Sequence, residues 1–334
     1  MIRLGLVGCG GIAQGHVRAL EDLGPDARVT ATVDIDRQRA EEAAKLLGAD
    51  RAATDFSDVL EDVDAVLLSL PHHLHHPVGM ECLAAGKHVL MEKPLANTER
   101  ECLDLIEAAD RADRLLMVAY CMRYHPLVAR MKQLLDEKAY GDVFQVSIWT
   151  EQHTQYSPGH WAASAARLGG GQLFSHGCHY IDLLLWFLGN PVEGTHIGTN
   201  YGTPWMEKEG TSNVTIKFEN GALGYHFGTW GAKGSRLGYS FHAHCTEGML
   251  ELHFLSGKLI AHSKGTETVL LEAQADKYLR NETMHFLDCI KTGARPLTDG
   301  ASSLQSLRVI WKLYEAEEQG VVADLRGLGL DEGE

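Results

Sequence analysis

The opening stretch "IRLGLVGCGGIA" narrows the possible fold more than any other part of the chain. "IRLGLVG" is a nearly continuous apolar run, the pattern of a parallel strand buried on both faces. It leads into a turn where Gly8, Gly10 and Ala13 satisfy G-x-G-x-x-G/A. The first glycine permits the tight turn, the second lets backbone approach a pyrophosphate, and the small third residue lets the next helix close on the strand. In that helix Ala13, Val17 and Leu20 share a face, and Gly24 is placed to supply a left-handed stop. The helix N-terminus offers unpaired N–H groups and a positive dipole end to a phosphate. Gly8, Gly10, Gly11, Ile12 and Ala13 are therefore candidate cofactor contacts.

A second strand, "RVTATVDID", ends on Asp34, at the downstream spacing of a carboxylate that holds a ribose diol. An acidic side chain there repels a 2′-phosphate, which favours NAD, whereas Arg37 nearby keeps NADP open. The bland alternative for Asp34 is a solvated strand end. Strand and helix patterns then alternate through "DAVLLSLP", "HPVGMECLAAG", "HVLMEKP", "TERECLDLIEAADRAD" and "LLMVAYC". That alternation predicts a parallel sheet with helices on both faces and ligands at the carboxyl ends of its strands. "MEKPLA" lies at such an end, where Lys93 can donate to a substrate oxygen and Pro94 ends the strand. The competing reading is an exposed lysine that merely follows a strand.

After about residue 122 the rhythm changes. A helix, "HPLVARMKQLLDE", precedes "GDVFQVSIWTEQ", whose residues alternate with the period of two of a strand. More strands follow with hairpin punctuation at Asn220-Gly221 and Ser256-Gly257, and two amphipathic helices close the chain, the first stopped by Gly293. The expected class is α/β: an N-terminal Rossmann domain with a parallel sheet over residues 1–122, and a C-terminal α+β domain with a large, mostly antiparallel open sheet over 123–334. A broad sheet of this kind needs cover on its second face, so a homodimer or homotetramer through it is expected.

Within the second half, "GGGQLFSHGCHYIDLLLW" places three glycines, two histidines, a cysteine and an aspartate before a leucine run. From His179 onward it reads as a largely buried helix, with Gly189 as its stop. His179 and Asp182 are three apart and share a face, so the carboxylate is placed to orient the imidazole and raise its basicity. The glycines allow close approach of backbone to a ligand, and His179 becomes a general-base candidate. A satisfied core histidine and a metal site from His176, Cys178 and His179 are the alternatives. No fourth ligand is spaced for metal. Nor does "PHHLHHP" demand it, since histidines bracketing one leucine in a loop need not converge; His75 is the member expected near the cofactor.

Composition sets the remaining bounds. The 334 residues suffice for two domains, and 45% hydrophobic with 22% charged residues is ordinary for a water-soluble protein. A net charge of -15 repels nucleic acid and anionic lipid, leaving small molecules as expected partners. Seven cysteines without a CxxC pair, and an opening without a signal-like apolar segment, read as reduced thiols in a cytoplasmic protein.

Taken in order, "GCGGIA", Asp34, "MEKPLA", "MRYHP" and "GGGQLFSHGCHYID" resemble the glucose-fructose oxidoreductase, inositol dehydrogenase and MocA family. "TEGMLEL" and "HFLDCIKTGARP" extend the likeness toward the end of the chain. The resemblance implies a Rossmann domain and an α/β domain that together oxidise or reduce a hydroxyl or carbonyl of a sugar, inositol or related polyol with NAD or NADP. The family's E-K-P motif falls on Glu92, Lys93 and Pro94, and its D-x-G-x-H-x-x-D motif brings His179 and Asp182. By resemblance Lys93 is the catalytic lysine, His179 the general acid/base and Asp182 its supporting carboxylate. The T-P-x-x-x-H segment appears as Leu70, Pro71 and His75, adding Leu70 and His75 to the cofactor side.

The departures concern the pocket. Ser175 stands where many relatives carry aspartate, His176 where an apolar residue is usual, and Trp161-Ala162 where a Trp-Arg pair is common. Serine exchanges hydrogen bonds but contributes no charge. A non-standard polyol or glycoside is therefore expected, with Arg123, Tyr124, His153, Tyr156, Trp161, Ser175, His176 and His179 as pocket candidates. Two other outcomes fit such a chain. One is NAD-dependent glycoside cleavage by transient oxidation and elimination, which His176 would suit. The other is a dinucleotide-binding sugar sensor without turnover, against which the retention of Lys93 and His179 argues.

Overall fold

The computed structural model describes residues 1–330. They form two compact units: Met1–Cys121 together with Tyr278–Leu304, and Met122–Lys277 together with the residues from Gln305 onward.

The first unit is built on strands β1 (Ile2–Val7), β2 (Ala27–Val33), β3 (Arg51–Ala53), β4 (Ala65–Leu68), β5 (His88–Met91) and β6 (Leu116–Val118), interleaved with helices α1 (Ala13–Leu20), α2 (Arg37–Leu47), α3 (His75–Ala84) and α4 (Glu99–Ala112). The order β3-β2-β1-β4-β5-β6, all parallel, is that of a doubly wound dinucleotide-binding sheet. Every residue of β4 is buried, as its unbroken apolar sequence requires. Helix α4 opens on a capping box between Thr98 and Glu101. Helix α1 ends earlier than its sequence suggested: the backbone leaves it at Glu21, and Gly24, at φ +72°, bends the following loop instead of capping the helix.

Tyr278–Leu304 joins this unit although it follows the second sheet in sequence, where a single boundary had left it with the second domain. Helix α8 (Leu279–Thr292) packs on α1, with Leu279 over the bare Cα of Gly15. Beyond it, Thr298 completes the edge of β6: Val118 N–H donates to Thr298 O at 2.8 Å, and Thr298 Oγ1 donates to Val118 O at 2.7 Å.

The second unit carries α5 (Pro126–Asp136) and strands β7 (Val143–Glu151), β8 (Pro191–Thr199), β9 (Thr211–Phe218), β10 (Leu223–Thr229), β11 (Tyr239–Cys245), β12 (Gly248–His253), β13 (Lys258–Ser263), β14 (Thr266–Glu272) and β15 (Ala323–Asp324). They form one sheet in the order β14-β13-β12-β11-β7-β10-β9-β8-β15, antiparallel at every pairing but β7 with β10. Strands β8, β14 and β15 lack a clean alternation and were not legible in the sequence. Short α6 (Ala165–Leu168) leads to α7 (Cys178–Leu188), buried at every residue but Trp186. Helices α5 and α7 lie on one face of the sheet. The buried positions of β9 and the core residues Val146, Ile148 and Phe241 form its buried layer. Helix α9 (Gly300–Gln319) starts in the first unit and supplies its later turns to the second.

Candidate active site

In the first unit the glycine turn is built for close approach. Gly8 sits at φ +92°, and a side chain there would run into the carbonyl of Ser69. Gly11 faces open space, and Gly10 meets only the tip of Arg39 at 4.0 Å. Ile12 stands at the N-terminus of α1, which no side chain caps. The Asp34 carboxylate is oriented from both sides: Cys9 N–H donates to Oδ2 at 2.8 Å and Asp36 N–H to Oδ1 at 2.9 Å. These residues fit a dinucleotide, with open glycine backbone and an uncapped helix end for phosphate and an anchored carboxylate for a ribose diol. Arg37 is exposed beside Glu41.

The loop bearing Lys93 is held from two directions. His16 Nε2 donates to Glu92 Oε1 at 2.7 Å, and Glu92 Oε2 accepts the Lys93 N–H at 3.1 Å. His75 contacts the carbonyl of Pro94 through Nδ1 at 2.7 Å and that of Leu70 through Nε2 at 2.9 Å. It thereby ties together the loops that follow β4 and β5. Complete burial pushes its imidazole below the ordinary range. His16 was missed in the sequence reading. Its signal was a histidine on the same face of α1 as Ala13 and Val17, where only apolar residues were expected. The other histidines of the run diverge: His76 lies 3.6 Å from Asp104, and His72 is buried. Among the described residues no three His, Cys, Asp or Glu side chains gather as metal ligands.

In the second unit the chain enters α7 through a π-turn, Leu173–Gly177, which carries Ser175 and His176; single π-turns of this sort recur at functional sites. Ser175 and His179 are both buried. Asp182 does not hold His179 as the spacing implied. Among the described residues its hydrogen bonds are to Arg123, which donates from Nε to Oδ2 at 2.7 Å and from an NH2 group to Oδ1 at 2.6 Å. Burial pushes the Asp182 carboxyl up, with the Arg123 guanidinium opposing that shift. Arg123 itself is buried, its guanidinium 5.2 Å from the Trp186 ring. Tyr124 follows it, half-buried, in the same short turn.

His176 lies in a hydrogen-bond chain. Ser212 Oγ donates to Gln172 Oε1 at 2.8 Å, and Gln172 Nε2, which can only donate, lies 3.4 Å from His176 Nδ1. On its other side, His176 Nε2 lies 3.4 Å from the hydroxyl of Tyr239, which donates its proton to Gln152 Oε1 at 2.5 Å. Burial pushes the Tyr239 hydroxyl up to about 12. Tyr239 carried no sequence signal, because it lies 63 residues from His176 and the two are joined only by the fold; Gln172, four residues before His176, was not singled out.

Tyr156 and Trp161 pack on a small cluster of Ala162, Leu168, Met206 and Trp230, with Tyr156 stacked on His160 at 5.0 Å. His153 is exposed, its ring 6.0 Å from that of Trp205. The glycine triplet also has a different purpose from the one expected. Gly169, at φ +89°, ends α6, a side chain on Gly170 would strike Phe174, and one on Gly171 would overlap Glu209. The close approach is thus to the protein's own side chains and not to a ligand.

Comparison with known proteins agrees with this architecture. Residues 2–120 match the profile described as an oxidoreductase family with an NAD-binding Rossmann fold, and residues 128–251 match the GFO/IDH/MocA C-terminal domain. The chain is 30% identical to inositol 2-dehydrogenase 2 of Saccharopolyspora erythraea over 66% of its own length and 65% of that protein's, just under two thirds of the relative. It is 26% identical to levoglucosan dehydrogenase of Pseudarthrobacter phenanthrenivorans, over 76% of this chain and 74% of that one. A solved levoglucosan dehydrogenase in complex with NADH superposes with a TM-score of 0.88 at 21% identity, covering 97% of this chain and 99% of that chain, a likeness of fold. With both halves matched in order, the chain belongs to the Gfo/Idh/MocA family of oxidoreductases with an NAD-binding Rossmann fold.

Proposed function

We propose that this protein is an NAD-dependent dehydrogenase that oxidises a secondary hydroxyl of a sugar, inositol or related polyol, or reduces the corresponding carbonyl. The observation that carries the reading is that a chain of this family keeps Lys93 on a loop tied down by His16, Glu92 and His75, and His179 buried beside a π-turn. Gly8, Gly10, Gly11, Ile12 and Ala13 would hold the pyrophosphate, Asp34 the ribose, and Leu70, His75 and Glu92 would frame the nicotinamide side. A bound NAD would supply the hydride acceptor for the carbinol carbon. His179 takes the hydroxyl proton, and the Lys93 ammonium stabilises the charge that develops on the oxygen. Arg123 and Asp182 act behind His179 as a fixed ion pair. Ser175 offers a hydroxyl in place of a carboxylate, which suits a substrate recognised by its hydroxyls. Tyr124, His153, Tyr156 and Trp161 belong to the same proposal as pocket lining.

The orientation of His176 supports net hydride transfer over elimination. Both of its ring nitrogens face neighbouring side chains, Gln172 and Tyr239, so the ring reads as a fixed wall and not as an additional acid/base. Asp34 supports NAD over NADP, since a carboxylate there meets a 2′-phosphate with like charge. The open face of the nine-stranded sheet, where Trp149 lies 5.3 Å from Tyr225 and 5.5 Å from Phe227, supports a homodimer or homotetramer formed through it. Among the described residues no helix is long and apolar enough to cross a membrane. A cytoplasmic location belongs to the same proposal, supported by the seven cysteines, which form no disulfide.

The test is an NADH-formation screen over inositols, levoglucosan, aldoses and simple glycosides, run with NAD and NADP in parallel. The expected result is turnover with NAD that falls by at least about 100-fold in His179→Ala and in Lys93→Ala. Release of aglycone without NADH would instead identify elimination. Tight NAD binding with no hydride exchange on any substrate would identify a sensor.

A further inference from the structure

The N-terminal end of the segment that carries Ser175, His176 and His179 has no side-chain cap of its own. Such an end leaves its first N–H groups without helical partners. Here two residues remote in sequence, Glu209 just before β9 and Tyr314 on α9, take all of them. Gly171 N–H and Phe174 N–H both donate to the Tyr314 hydroxyl at 3.2 Å. Leu173 N–H donates to Glu209 Oε1 at 3.1 Å, and Gln172 N–H to the Glu209 carbonyl at 2.8 Å. The two holders are joined, because Tyr314 donates its own proton to Glu209 Oε1 at 2.6 Å. First regular turning begins only after them, with Ser175 N–H bonded to Gly171 O at 3.0 Å.

Three features show that this arrangement is built and not incidental. Glu209 is buried, and its side-chain and main-chain oxygens both accept from the first N–H groups of a helical segment. Gly171 must be glycine, because any side chain there would overlap Glu209. The Phe174 ring lies 6.1 Å from Trp311, so α9 grips the same turn through an apolar contact as well as through Tyr314. A helix end free to fray would let the first turn slide or unwind. His179 stands one residue into α7, within reach of that fraying.

We propose that Glu209 and Tyr314 form a clamp that sets the register of the π-turn and thereby positions Ser175, His176 and His179 for the reaction. This rests on the reading of His179 as the general base, so its test needs one arm that does not depend on turnover. The Glu209→Ala, Glu209→Gln and Tyr314→Phe proteins are prepared with isotope-labelled histidine. The imidazole NMR signals of His176 and His179, identified from His176→Asn and His179→Asn, are compared with the unsubstituted protein. Turnover and its pH profile, and NAD binding by fluorescence, are measured on the same samples.

The expected result is that Glu209→Ala and Tyr314→Phe move both histidine signals, shift the pH at which kcat is half-maximal, and lower kcat on the order of tenfold, with NAD affinity unchanged. Glu209→Gln, which keeps an acceptor oxygen for Leu173 and Tyr314, restores the signals and brings kcat back to within about threefold. Signals and pH profile that stay unchanged in Tyr314→Phe overturn the proposal, as does a kcat unaffected by shifted signals while His179→Ala is inactive. Should Glu209→Ala fail to fold, Tyr314→Phe, which removes a single oxygen, decides the matter. If His179→Ala retains turnover, the catalytic reading fails, and the signals alone decide whether the clamp sets the register.

Discussion

Arg123 and Asp182 meet at two points inside the second unit, 2.7 and 2.6 Å apart, with both side chains almost wholly withdrawn from water. A buried charge without its partner is far more costly than a pair. Asp182→Ala or Arg123→Ala is therefore expected to destabilise the protein by about 3–5 kcal/mol, whereas replacing both with apolar residues of similar volume recovers most of that loss. Urea unfolding midpoints of the two single variants and the double variant test this. Equal losses in all three would remove the pair from any special role.

The glycines of the first turn separate fold from function. Gly8→Ala forces a side chain into the Ser69 carbonyl at a positive φ and is expected to lower both stability and NAD affinity, the stability by about 1–3 kcal/mol. Gly11→Ala meets open space and is expected to leave the melting temperature within about 2 °C while weakening NAD. Thermal melts with and without NAD distinguish the two, and a Gly11→Ala protein that binds NAD normally would show that the pyrophosphate lies elsewhere.

His16 touches no candidate substrate position, yet it should matter to turnover. Its loss leaves Glu92 Oε1 without the imidazole donor 2.7 Å away and is expected to destabilise the protein by about 1–3 kcal/mol. Because Glu92 also receives the Lys93 N–H, kcat is expected to fall more than KM rises. Steady-state kinetics of His16→Ala at a temperature where it remains folded would reveal a purely structural role if both constants stayed put.

Acid should weaken the second unit through histidines held neutral. Burial pushes His226 in β10 to about 3, with the charge of His196 a smaller contribution, and burial pushes His125 to about 4, against an ordinary 6.5. In the window between those values and 6.5 the unfolded chain binds protons that the folded chain refuses, so stability is complete above 6.5 and falls as pH drops through the window. Each pH unit removes at most about 1.4 kcal/mol per histidine. Urea midpoints at about pH 7 and about pH 5 should differ accordingly, with a smaller difference in His226→Leu. An undiminished slope in that variant would assign the acid sensitivity to other groups.

Much of the first unit was legible in the sequence because its signals are local. A continuous apolar strand, a glycine turn and an acidic residue at the next strand end all lie within a few dozen residues, whereas the three-residue β3 carried no such signal. The second unit was harder to read. The period-two rhythm announced β7 and β9, but β8 carries Gly194 and Gly198 among polar residues, and β14 is exposed at most of its positions. Pairings across the fold left no trace in the sequence: Asp182 with Arg123, Gly171 with Glu209, and His176 with Tyr239. The spacing of His179 and Asp182 suggested a partnership because nearest neighbours on a helix are easy to see. The fold supplied a stronger cation from a turn 59 residues earlier.

The return of Tyr278–Leu304 to the first unit bears on how the chain is made. Ribosomes deliver the six parallel strands within the first 118 residues, but α8 and the Thr298 contact that closes the edge of β6 emerge only after the entire nine-stranded sheet except β15 has been synthesised. Until then a nascent dinucleotide-binding fold has one flank of α1 and one strand edge uncovered. Stretches of backbone this open are what chaperones shield and proteases sample. The last hundred residues thus govern when the first hundred become secure.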